Sequence, residues 1–469
     1  LSETQKNAMT HITALRILSE NQTMPLDAAT RRNLELTEGL HSRTTRGSLL
    51  WLLDKTATAM GGRLLRRWVE QPLLSRAAIE QRLNAVSALY DNHVLSERLY
   101  DILRNVYDME RILSKVSYNT LNARDCLALL RSLKQVPPLQ ALLADDACVP
   151  VCAALGELDP LSGLAQLLEN AINPDAPLQI TEGAVIREGY NAQLDELRQA
   201  TTQGKQWLSD LEAKEREETG IKTLRIQYNR VFGYYIEVTK SYYNLVPLRY
   251  QRRQTLASSE RFTTDELRQI ESKITGAQEQ STRLELELFY AIRSEIAAAM
   301  PRLQGTANAL KTLDALLSLA RVARENNYVR PTLTDDGTLT IHDGRHPVVE
   351  RMLSDNLFVP NDTEMNDGNL RMQIITGPNM AGKSTYMRQV ALIVLMAHMG
   401  SFVSAREAAI SLVDNVYTRV GASDDLAGGQ STFMVEMSET AYILRNATAR
   451  SLVILDEIGR GTSTFDGLS

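Results

Sequence analysis

The chain of 469 residues has few cysteines, few aromatic residues and no long apolar run. Cys126, Cys148 and Cys152 are too few, and odd in number, for a disulfide framework, which favours a reducing cytoplasm. Cys148 and Cys152 stand four residues apart, but no nearby His or further Cys completes a metal-ligand set, so we expect buried thiols in a helix. No apolar run reaches the ~18 residues that span a membrane. We therefore expect a cytoplasmic protein with no membrane partner.

Helical periodicity dominates up to about residue 185, and two later stretches carry heptad patterns. The first lies in a predicted helix from Tyr190 to Glu217, which would extend ~40 Å at 1.5 Å per residue. Because the two seams flank a single intervening segment, we expect an antiparallel coiled coil. The predicted seam residues are Leu194, Leu197, Thr201, Gly204, Leu208 and Leu211 in the first helix, and Leu267, Ile270, Ile274, Ala277, Ser281, Leu284 and Leu288 in the second.

The segment between the two seams changes period and charge. Residues from Lys222 to Val238 alternate and are rich in β-formers, with a turn at Phe232-Gly233. Across 222–261, eight Lys or Arg residues stand against only Glu237 and Glu260, although the whole chain has a net charge of −6. Such a local basic surface predicts contact with the backbone of double-stranded DNA, and a solvated basic face is the alternative. The expected DNA-binding residues are Lys222, Arg225, Arg230, Arg249, Arg252 and Arg253.

A phosphate-binding loop pattern, G-x-x-x-x-G-K-[ST], occurs late in the chain. The strand-like run 371–376 leads into it, and an apolar helix pattern from Tyr386 to Met399 follows it. Glycines let backbone amides approach phosphate oxygens closely, and the helix N-terminus adds a favourable dipole. The pattern therefore predicts that the chain binds a nucleoside triphosphate. The predicted contacts are Gly377, Pro378, Asn379, Met380, Ala381, Gly382, Lys383, Ser384 and Thr385.

A buried-strand pattern from Ser451 to Glu457 ends in two carboxylates and completes the prediction of a metal-nucleotide site. Lys383 should reach the β- and γ-phosphates, and the Ser384 hydroxyl should bind Mg²⁺. Asp456 supplies the hard oxygen that Mg²⁺ also needs. Glu457, at the loop edge, is the expected catalytic residue that orients or deprotonates the attacking water, and a surface carboxylate is its alternative role.

Gly428 to Met437 lies between these two elements. Its Gly pair, followed by Ser431 and Thr432, predicts a helix N-terminus that binds an anion. A second such N-terminus in one nucleotide domain suggests ATPases whose nucleotides are sandwiched between paired subunits, with Ser431 serving the partner's nucleotide. A plain N-cap explains the pattern equally well.

Together these pieces resemble the bacterial MutS family of DNA mismatch-repair ATPases, over essentially the whole chain. The matching stretches are DAATRRNLEL (27–36), GYYIEV (233–238), RRQTL (252–256), GRHPVVE (344–350), TGPNMAGKSTYMRQ (376–389), STFMVEM (431–437) and LDEIGRGTSTFDGLS (455–469). The resemblance implies ATP and Mg²⁺ as cofactors, and double-stranded DNA, a second copy of the chain (a homodimer) and MutL as partners. It also implies that Phe358 lies against adenine, that Asn379 supports the phosphates, and that Ser431 approaches the γ-phosphate of the partner subunit.

The fold class that the resemblance implies is multidomain α and α/β. A helical core of levers carries an antiparallel coiled-coil arm with a small β-rich clamp tip, and an incomplete ABC-type ATPase domain with the phosphate loop follows. The implied function is ATP-dependent DNA mismatch repair by an ATP-switched sliding clamp, located in the cytoplasm at the nucleoid. The expected boundaries are 1–20 for the end of a connector, 21–190 for the helical core, 191–290 for the arm with its tip at about 220–262, 291–330 for the returning lever helix and 331–469 for the ATPase domain.

Three departures from the family pattern qualify this implication. Ala381 stands where the family usually has Gly, which keeps the backbone N–H but would be strained at a positive φ. No Phe is followed two positions later by Glu, so the family's mismatch-reading signature, whose ring wedges beside the mispair, is absent. The chain also stops at Ser469, before the family's switch His and C-terminal dimer region. We therefore expect a fragment, cut at both ends, that holds DNA without discriminating mismatches. We also expect the truncation to impair ATPase activity.

Two alternatives stay open from the sequence. A MutS relative that binds recombination intermediates without reading mismatches fits the same residues. A non-catalytic DNA-binding scaffold that uses ATP only as a conformational ligand fits a truncated chain, although Glu457 argues against it for the complete protein. Coiled-coil chromosome-organising ATPases place the coiled coil between the phosphate loop and the signature helix, whereas here the arm precedes both, which disfavours that class.

Overall fold

The computed structural model describes residues 22–40, 44–229, 231, 233–353, 357–378, 381–420, 432–456 and 458, with only the backbone described at 181, 432 and 433. The chain divides into two compact units. Unit 1 consists of Leu1–Ser114, Arg131–Leu161 and Pro301–Ser469, and unit 2 consists of Lys115–Leu130 and Ser162–Met300.

The described residues form α-helices and short strands. The helices are α1 Ala28–Asn33, α2 Leu49–Leu53, α3 Ala59–Glu70, α4 Arg76–Asp91, α5 His93–Leu103, α6 Met109–Ser117, α7 Ala123–Leu133, α8 Val136–Leu143, α9 Val149–Leu155, α10 Ser162–Ala171, α11 Ala192–Thr219, α12 Asp265–Ala298, α13 Met300–Glu325, α14 Pro347–Met352, α15 Lys383–His398 and α16 Thr432–Asn446. The strands are β1 Arg225–Asn229, β2 Gly233–Thr239, β3 Gln251–Thr255, β4 Ser259–Thr263, β5 Thr332–Thr334, β6 Leu339–Gly344, β7 Asn361–Met365, β8 Glu407–Ser411, β9 Val416–Val420 and β10 Leu452–Asp456. Short 3₁₀ turns occupy Asp146–Cys148, Ile180–Glu182 and Lys240–Leu245.

The early helices of unit 1 begin at side-chain caps. Asp27, Ser48 and Thr58 each accept a hydrogen bond from a backbone N–H in the first turn of α1, α2 and α3, respectively. Helices α1 to α10 all precede residue 185. The predicted helical character of the first part of the chain is therefore confirmed for the residues that the structure describes.

A buried carboxylate fixes the start of α3 against α13 within unit 1. Asp314 is fully buried and accepts hydrogen bonds from the backbone N–H groups of Ala57 and Thr58, both at 2.8 Å, and from the Thr58 hydroxyl at 2.6 Å. Gly61 packs so closely that a Cβ atom there would lie 2.1 Å from an Asp314 carboxylate oxygen. Burial raises the pKa of Asp314 above its ordinary value.

Two sheets of unit 1 frame the late helix α15. The first has the strand order β5-β8-β6-β7, with β5 parallel to β8 and β6 antiparallel to both of its neighbours. The second is the parallel pair β9-β10. Helix α15 packs against β6, β9 and β10, and it is buried all round from Gln389 to its end at His398. The predicted helix after the phosphate loop is confirmed and starts three residues earlier, at Lys383.

Helices α11 and α12 of unit 2 run antiparallel, as predicted. Lys214 on α11 pairs with Glu266 near the start of α12, and Arg198, sixteen residues earlier, pairs with Glu285. The first predicted seam is buried except for the half-buried Leu197. Helix α11, Ala192–Thr219, lies two residues later than the predicted range.

In the second predicted seam Leu267, Ile274 and Ser281 are buried and Ile270 and Ala277 are half-buried, but beyond Ser281 the buried positions differ from the predicted ones. Leu284 and Leu288 are only half-buried, whereas Glu285 and Phe289 are buried in their place. The buried face shifts by one residue because the Glu285 carboxylate accepts three backbone N–H groups of residues 184–186 and pairs with Arg198. A pattern of apolar residues does not predict a buried acid on the seam.

The segment between these helices folds as an antiparallel four-stranded sheet in the order β1-β2-β4-β3. Strands β1 and β2 form the predicted hairpin, with Asn229 opposite Gly233. Of the predicted turn residues, Phe232 lies outside the described residues and Gly233 is the first residue of β2. The small core beneath the sheet combines residues of the sheet with the ends of α11 and α12, including Leu211, Ile236, Phe262 and Leu267. We call this module, residues 220–263, the tip.

Two expectations about cysteine and membranes are also tested by the structure. Cys126 and Cys148 are buried, but Cys152 is exposed, so the prediction of buried thiols is wrong for Cys152. Helix α9 buries Val151 and Leu155, and Cys152 therefore faces away from that contact.

In the described ranges no single helix is long and apolar enough to cross a membrane, although one bent pair, Ala123–Leu143 with Asp146–Leu155, meets the length and composition criteria jointly.

Candidate nucleotide and DNA sites

The phosphate-loop residues that the structure describes converge on the N-terminus of α15. Gly382 caps the helix with φ +88°, a conformation in which a side chain would be strained. The Lys383 ammonium donates to the carbonyl oxygens of Gly377 at 2.7 Å and Pro378 at 3.0 Å. Ser384 and Thr385 follow in the first helical turn, and Ala381 precedes the cap, whereas Asn379 and Met380 lie outside the described residues. The loop thus brings a cation and free helix-terminal amides together, which suits a phosphate.

The predicted strand before the loop is not observed. Residues 371–376 have no regular secondary structure, and the side chains of Met372 and Ile374 are 77% and 80% exposed. A side-chain contact from Gln373 to the Glu364 carbonyl, at 2.7 Å, ties the run to β7. A strand forms only against a neighbour, and none of the described strands pairs with this run. The sequence pattern was therefore insufficient to make it a strand.

Asp456 ends β10, and its side chain is buried. Both β10 and its parallel partner β9 pack against α15, so the acidic strand and the phosphate-loop helix share one core. The predicted strand exists, but burial alternates along it, with Val453 and Leu455 exposed, because within the described residues only one of its faces is covered. Glu457 and Ser431 lie outside the described residues.

Phe358, expected against adenine, lies half-buried in a segment without regular secondary structure just before β7. Its neighbours Leu357 and Val359 are largely exposed. Within β7, the Thr363 hydroxyl lies 2.9 Å from the Tyr386 hydroxyl in the first turn of α15. This contact joins the strand that follows Phe358 to the helix that carries the phosphate loop.

The GRHPVVE stretch forms a polar cluster in unit 1, in which His346 is buried and Arg345 and Glu350 are half-buried. Arg345 pairs with Glu350 at 3.1 Å, and the His346 ring accepts a hydrogen bond from the backbone N–H of Val349 at 3.2 Å. Burial, and to a lesser extent the charge of Arg388, lowers the pKa of His346 to about 4. His346 is therefore neutral near pH 7 and caps α14, which is a structural role.

All five of the predicted DNA-binding residues that the structure describes are exposed on the tip, but they differ in their ion pairs. Lys222, Arg225 and Arg253 are exposed, and no ion pair involves them among the residues that the structure describes. Arg225 stands opposite Glu237 in the β1–β2 pairing. Arg230 lies outside the described residues. The exposed cations leave the tip a basic surface that a phosphate backbone could contact.

Arg249 and Arg252 are instead engaged by acidic side chains. Arg249 lies 2.7 Å from Glu215 and 2.6 Å from Glu218, both on α11, and Arg252 lies 2.9 Å from Glu260. Glu215 is almost completely buried and also accepts the Tyr250 hydroxyl at 2.8 Å. Counting charges only within 222–261 therefore overestimated the positive charge of the tip. The missed signal was Glu215, four residues after Leu211 on the seam.

Comparison with known proteins agrees with this layout. The family model for MutS domain III matches residues 29–320, and the one for MutS domain V matches residues 373–469. The chain is 53% identical over all 469 residues to the DNA mismatch repair protein MutS of Lachnoclostridium phytofermentans and covers 50% of that protein. Proteins of the same name from Acetivibrio thermocellus and Alkaliphilus metalliredigens are 51% and 52% identical over the whole chain, which covers 54% and 53% of them. The chain thus spans about half the length of these relatives, and it belongs to the MutS family.

Proposed function

We propose that this chain is the DNA-gripping and ATP-binding part of a DNA mismatch repair protein. The observation that carries the proposal is the phosphate loop at the start of α15, packed against a strand that ends in the buried Asp456. The relatives named for mismatch repair supply the biological context. A helical lever core at 21–190, a clamp arm at 191–290, a returning lever at 291–330 and an ABC-type ATPase domain from 331 belong to this proposal.

The chemistry of the site suits ATP with Mg²⁺. Residues 377–385 wrap the triphosphate with backbone amides, and Lys383 exchanges its loop carbonyls for the β- and γ-phosphate oxygens. The Ser384 hydroxyl and the Asp456 carboxylate are hard oxygen donors on elements that pack together, which fits Mg²⁺. The ion, when bound, neutralises negative charge on the phosphates.

Hydrolysis transfers the γ-phosphoryl group to water. A bond forms between the water oxygen and the γ-phosphorus while the bond to the β–γ bridging oxygen breaks, and ADP leaves with that electron pair. Glu457 orients the water and takes up its proton. Phe358 supports the adenine, and Ser431 reaches the nucleotide of a second copy of the chain, so that two subunits close on ATP.

Closure of the dimer then changes the grip of the tip on DNA. Lys222, Arg225, Arg230 and Arg253 contact the phosphate backbone, and Arg249 and Arg252 contribute less because acids engage them. In the complete protein the ATP-bound dimer slides on DNA and recruits MutL.

Nucleotide binding is tested with a fluorescent ATP analogue and Mg²⁺. Lys383→Ala should weaken binding at least tenfold, because a charge-assisted contact to phosphate is lost. Lys205→Ala, an exposed lysine on α11, is the matched control and should bind like the parent chain. Equal affinities of both variants would refute the assignment of the phosphate loop.

DNA binding is tested by fluorescence anisotropy of matched and mismatched duplexes across a salt series. Equal affinities with a steep salt dependence would support backbone contact by the tip. A clear mismatch preference would show that a reader lies within these 469 residues. Binding that does not respond to salt would contradict the basic tip as a DNA surface.

A further inference from the structure

The proposed function leaves the DAATRRNLEL stretch without a role. This stretch lies along β9, the strand that precedes α16, and we call α16 the signature helix because the STFMVEM stretch lies at its start. Helix α1, within this stretch, contacts β9 on the side away from β10. The backbone N–H of Thr418 donates to the Thr30 hydroxyl, and its carbonyl accepts from the Asn33 amide, both at 3.1 Å. Two side chains of α1 thus replace the strand that would otherwise pair with this edge.

The next residue of β9 faces the signature helix, α16. Arg419 is 3% exposed, and its guanidinium lies 3.5 Å from Glu436 and 3.4 Å from Glu439, both on α16. The Glu439 carboxylate also lies 3.3 Å from Arg32 of α1. Glu439 is therefore shared by a buried cation of β9 and an exposed cation of α1, and the four charges balance.

This cluster is poorly suited to a purely stabilising role. The Arg419 contacts are long, and its Nε and Nη1 atoms make no hydrogen bond of good geometry in the described part of the chain. Burying a charge with such loose pairing contributes little stability compared with an apolar side chain of similar size. A loosely held buried charge does, however, specify which position of a neighbouring helix is favoured, because a displaced helix would leave the charge unpaired.

The position of the cluster along the chain points to the nucleotide. Strand β9 ends at Val420 and α16 begins at Thr432, so the pair of Arg419 and Glu436 joins the two ends of the connection that carries Ser431. Any displacement of α16 on β9 moves the residue directly before α16.

We propose that Arg419 is a positioning residue for ATP hydrolysis. Its ion pairs with Glu436 and Glu439 set the place of α16 on β9, and Arg32 links that place to α1. The inference rests on the proposed function, in that Ser431 must serve the nucleotide of a partner subunit. Helix α1 thereby becomes a route by which movement of the helical part of unit 1 reaches the signature helix.

The test compares Arg419→Met with Arg419→Lys in the full-length protein, measuring kcat and KM for ATP hydrolysis and the affinity for a fluorescent ATP analogue. Arg419→Met should lower kcat on the order of 10²-fold while analogue affinity changes less than about twofold, because a misplaced group costs turnover rather than binding to the loop. Arg419→Lys should restore part of kcat. Arg445→Met, an exposed arginine on the same helix, is the matched control and should leave kcat unchanged.

A second pair of variants keeps the proposal testable if Arg419→Met does not fold. Arg32→Met, at a half-exposed side chain, and Glu439→Gln should each lower kcat, and the double variant should be no slower than the slower single one, because both remove the same link. Unchanged kcat in folded variants, or a parallel loss of kcat and analogue affinity, would overturn the positioning role. If the parent protein itself binds or hydrolyses no ATP, the proposed function fails instead.

Discussion

The long helices of the two units are held in different ways. In unit 1, helices α13 and α15 are buried round most of their circumference by apolar neighbours. In unit 2, helices α11 and α12 bury one narrow seam, which contains small residues such as Thr201 and Gly204 and has Glu215 and Glu285 buried towards its ends. Many small apolar contacts locate the helices of unit 1, whereas a few close or polar contacts locate those of unit 2. Single substitutions should therefore have concentrated effects in unit 2.

The largest expected effect is at Glu285. Glu285→Ala leaves the N–H groups of residues 184–186 and the Arg198 guanidinium without their buried acceptor, so the free energy of unfolding of unit 2 should fall by about 3–5 kcal/mol. Hydrogen exchange of the amides at 184–186, together with urea unfolding, measures this loss of free energy. The matched control Glu287→Ala, an exposed acid, should cost less than about 1 kcal/mol. Equal small effects would show that the apolar seam alone holds the arm.

The second prediction concerns pH and unit 1. The Nδ1–H group of His398 donates to the carbonyl oxygen of Leu73, 2.7 Å away, and Nε2 accepts from the N–H of Val413 at 3.2 Å. Burial lowers its pKa from 6.5 to about 4. Between pH 4 and pH 6.5 the ring binds a proton in the unfolded chain but not in the folded chain. The stabilisation that the neutral ring provides is therefore complete above pH 6.5 and is lost as the pH falls towards 4.

Urea unfolding at pH 7 and pH 5 tests this loss, which should be about 2 kcal/mol for the single ring. His398→Gln keeps a donor and an acceptor but does not titrate, and it should remove that part of the pH dependence. His346 contributes in the same direction, so some dependence persists. His93→Gln, at an exposed ring, is the control. A pH dependence unaltered by His398→Gln would contradict the assignment.

The third prediction compares two glycines of the arm. A Cβ atom at Gly204 would lie 2.3 Å from Ile274, whereas one at Gly276 would meet nothing within 4 Å. Gly204→Ala should destabilise the arm by about 1–3 kcal/mol through overpacking, and Gly276→Ala should stabilise it by up to about 1 kcal/mol through helix propensity. Hydrogen exchange in α11 and α12 measures both. Combining Gly204→Ala with Ile274→Ala should relieve the clash. If Gly204→Ala and Gly276→Ala changed the stability of the arm in the same direction, close packing at Gly204 would be refuted.

The smallest expected effect separates two arginines of the tip. Arg253→Gln should lower the slope of log affinity for duplex DNA against log salt by about 1, as expected for one lost phosphate contact. Arg249→Gln should change the slope much less, because Glu215 and Glu218 already engage that guanidinium. Anisotropy titrations of one duplex at several salt concentrations give both slopes. A larger change for Arg249 would mean that DNA displaces its acidic partners.

Local patterns predicted much of this structure. The first heptad seam, the hairpin of the tip, the helix after the phosphate loop and the strand ending in Asp456 were all found where their residues indicated. Each of these elements depends on residues that are close together in the sequence, either within one helix or hairpin or at a turn that requires particular residue types. The prediction failed for the run 371–376, where a partner strand decides, and after Ser281, where a buried acid replaces the apolar pattern.

Local sequence patterns specify the phosphate loop, the acidic strand end, the basic tip and the paired helices, because each follows from glycines, charges or apolar residues at fixed spacing. Which of the charges remain free of ion pairs depends instead on the folded structure. It neutralises Arg249 with acids more than thirty residues earlier, buries Arg419 against α16, and covers β9 with α1, nearly 400 residues away in the chain. Such pairings depend on chain segments that meet only on folding, and no local spacing encodes them.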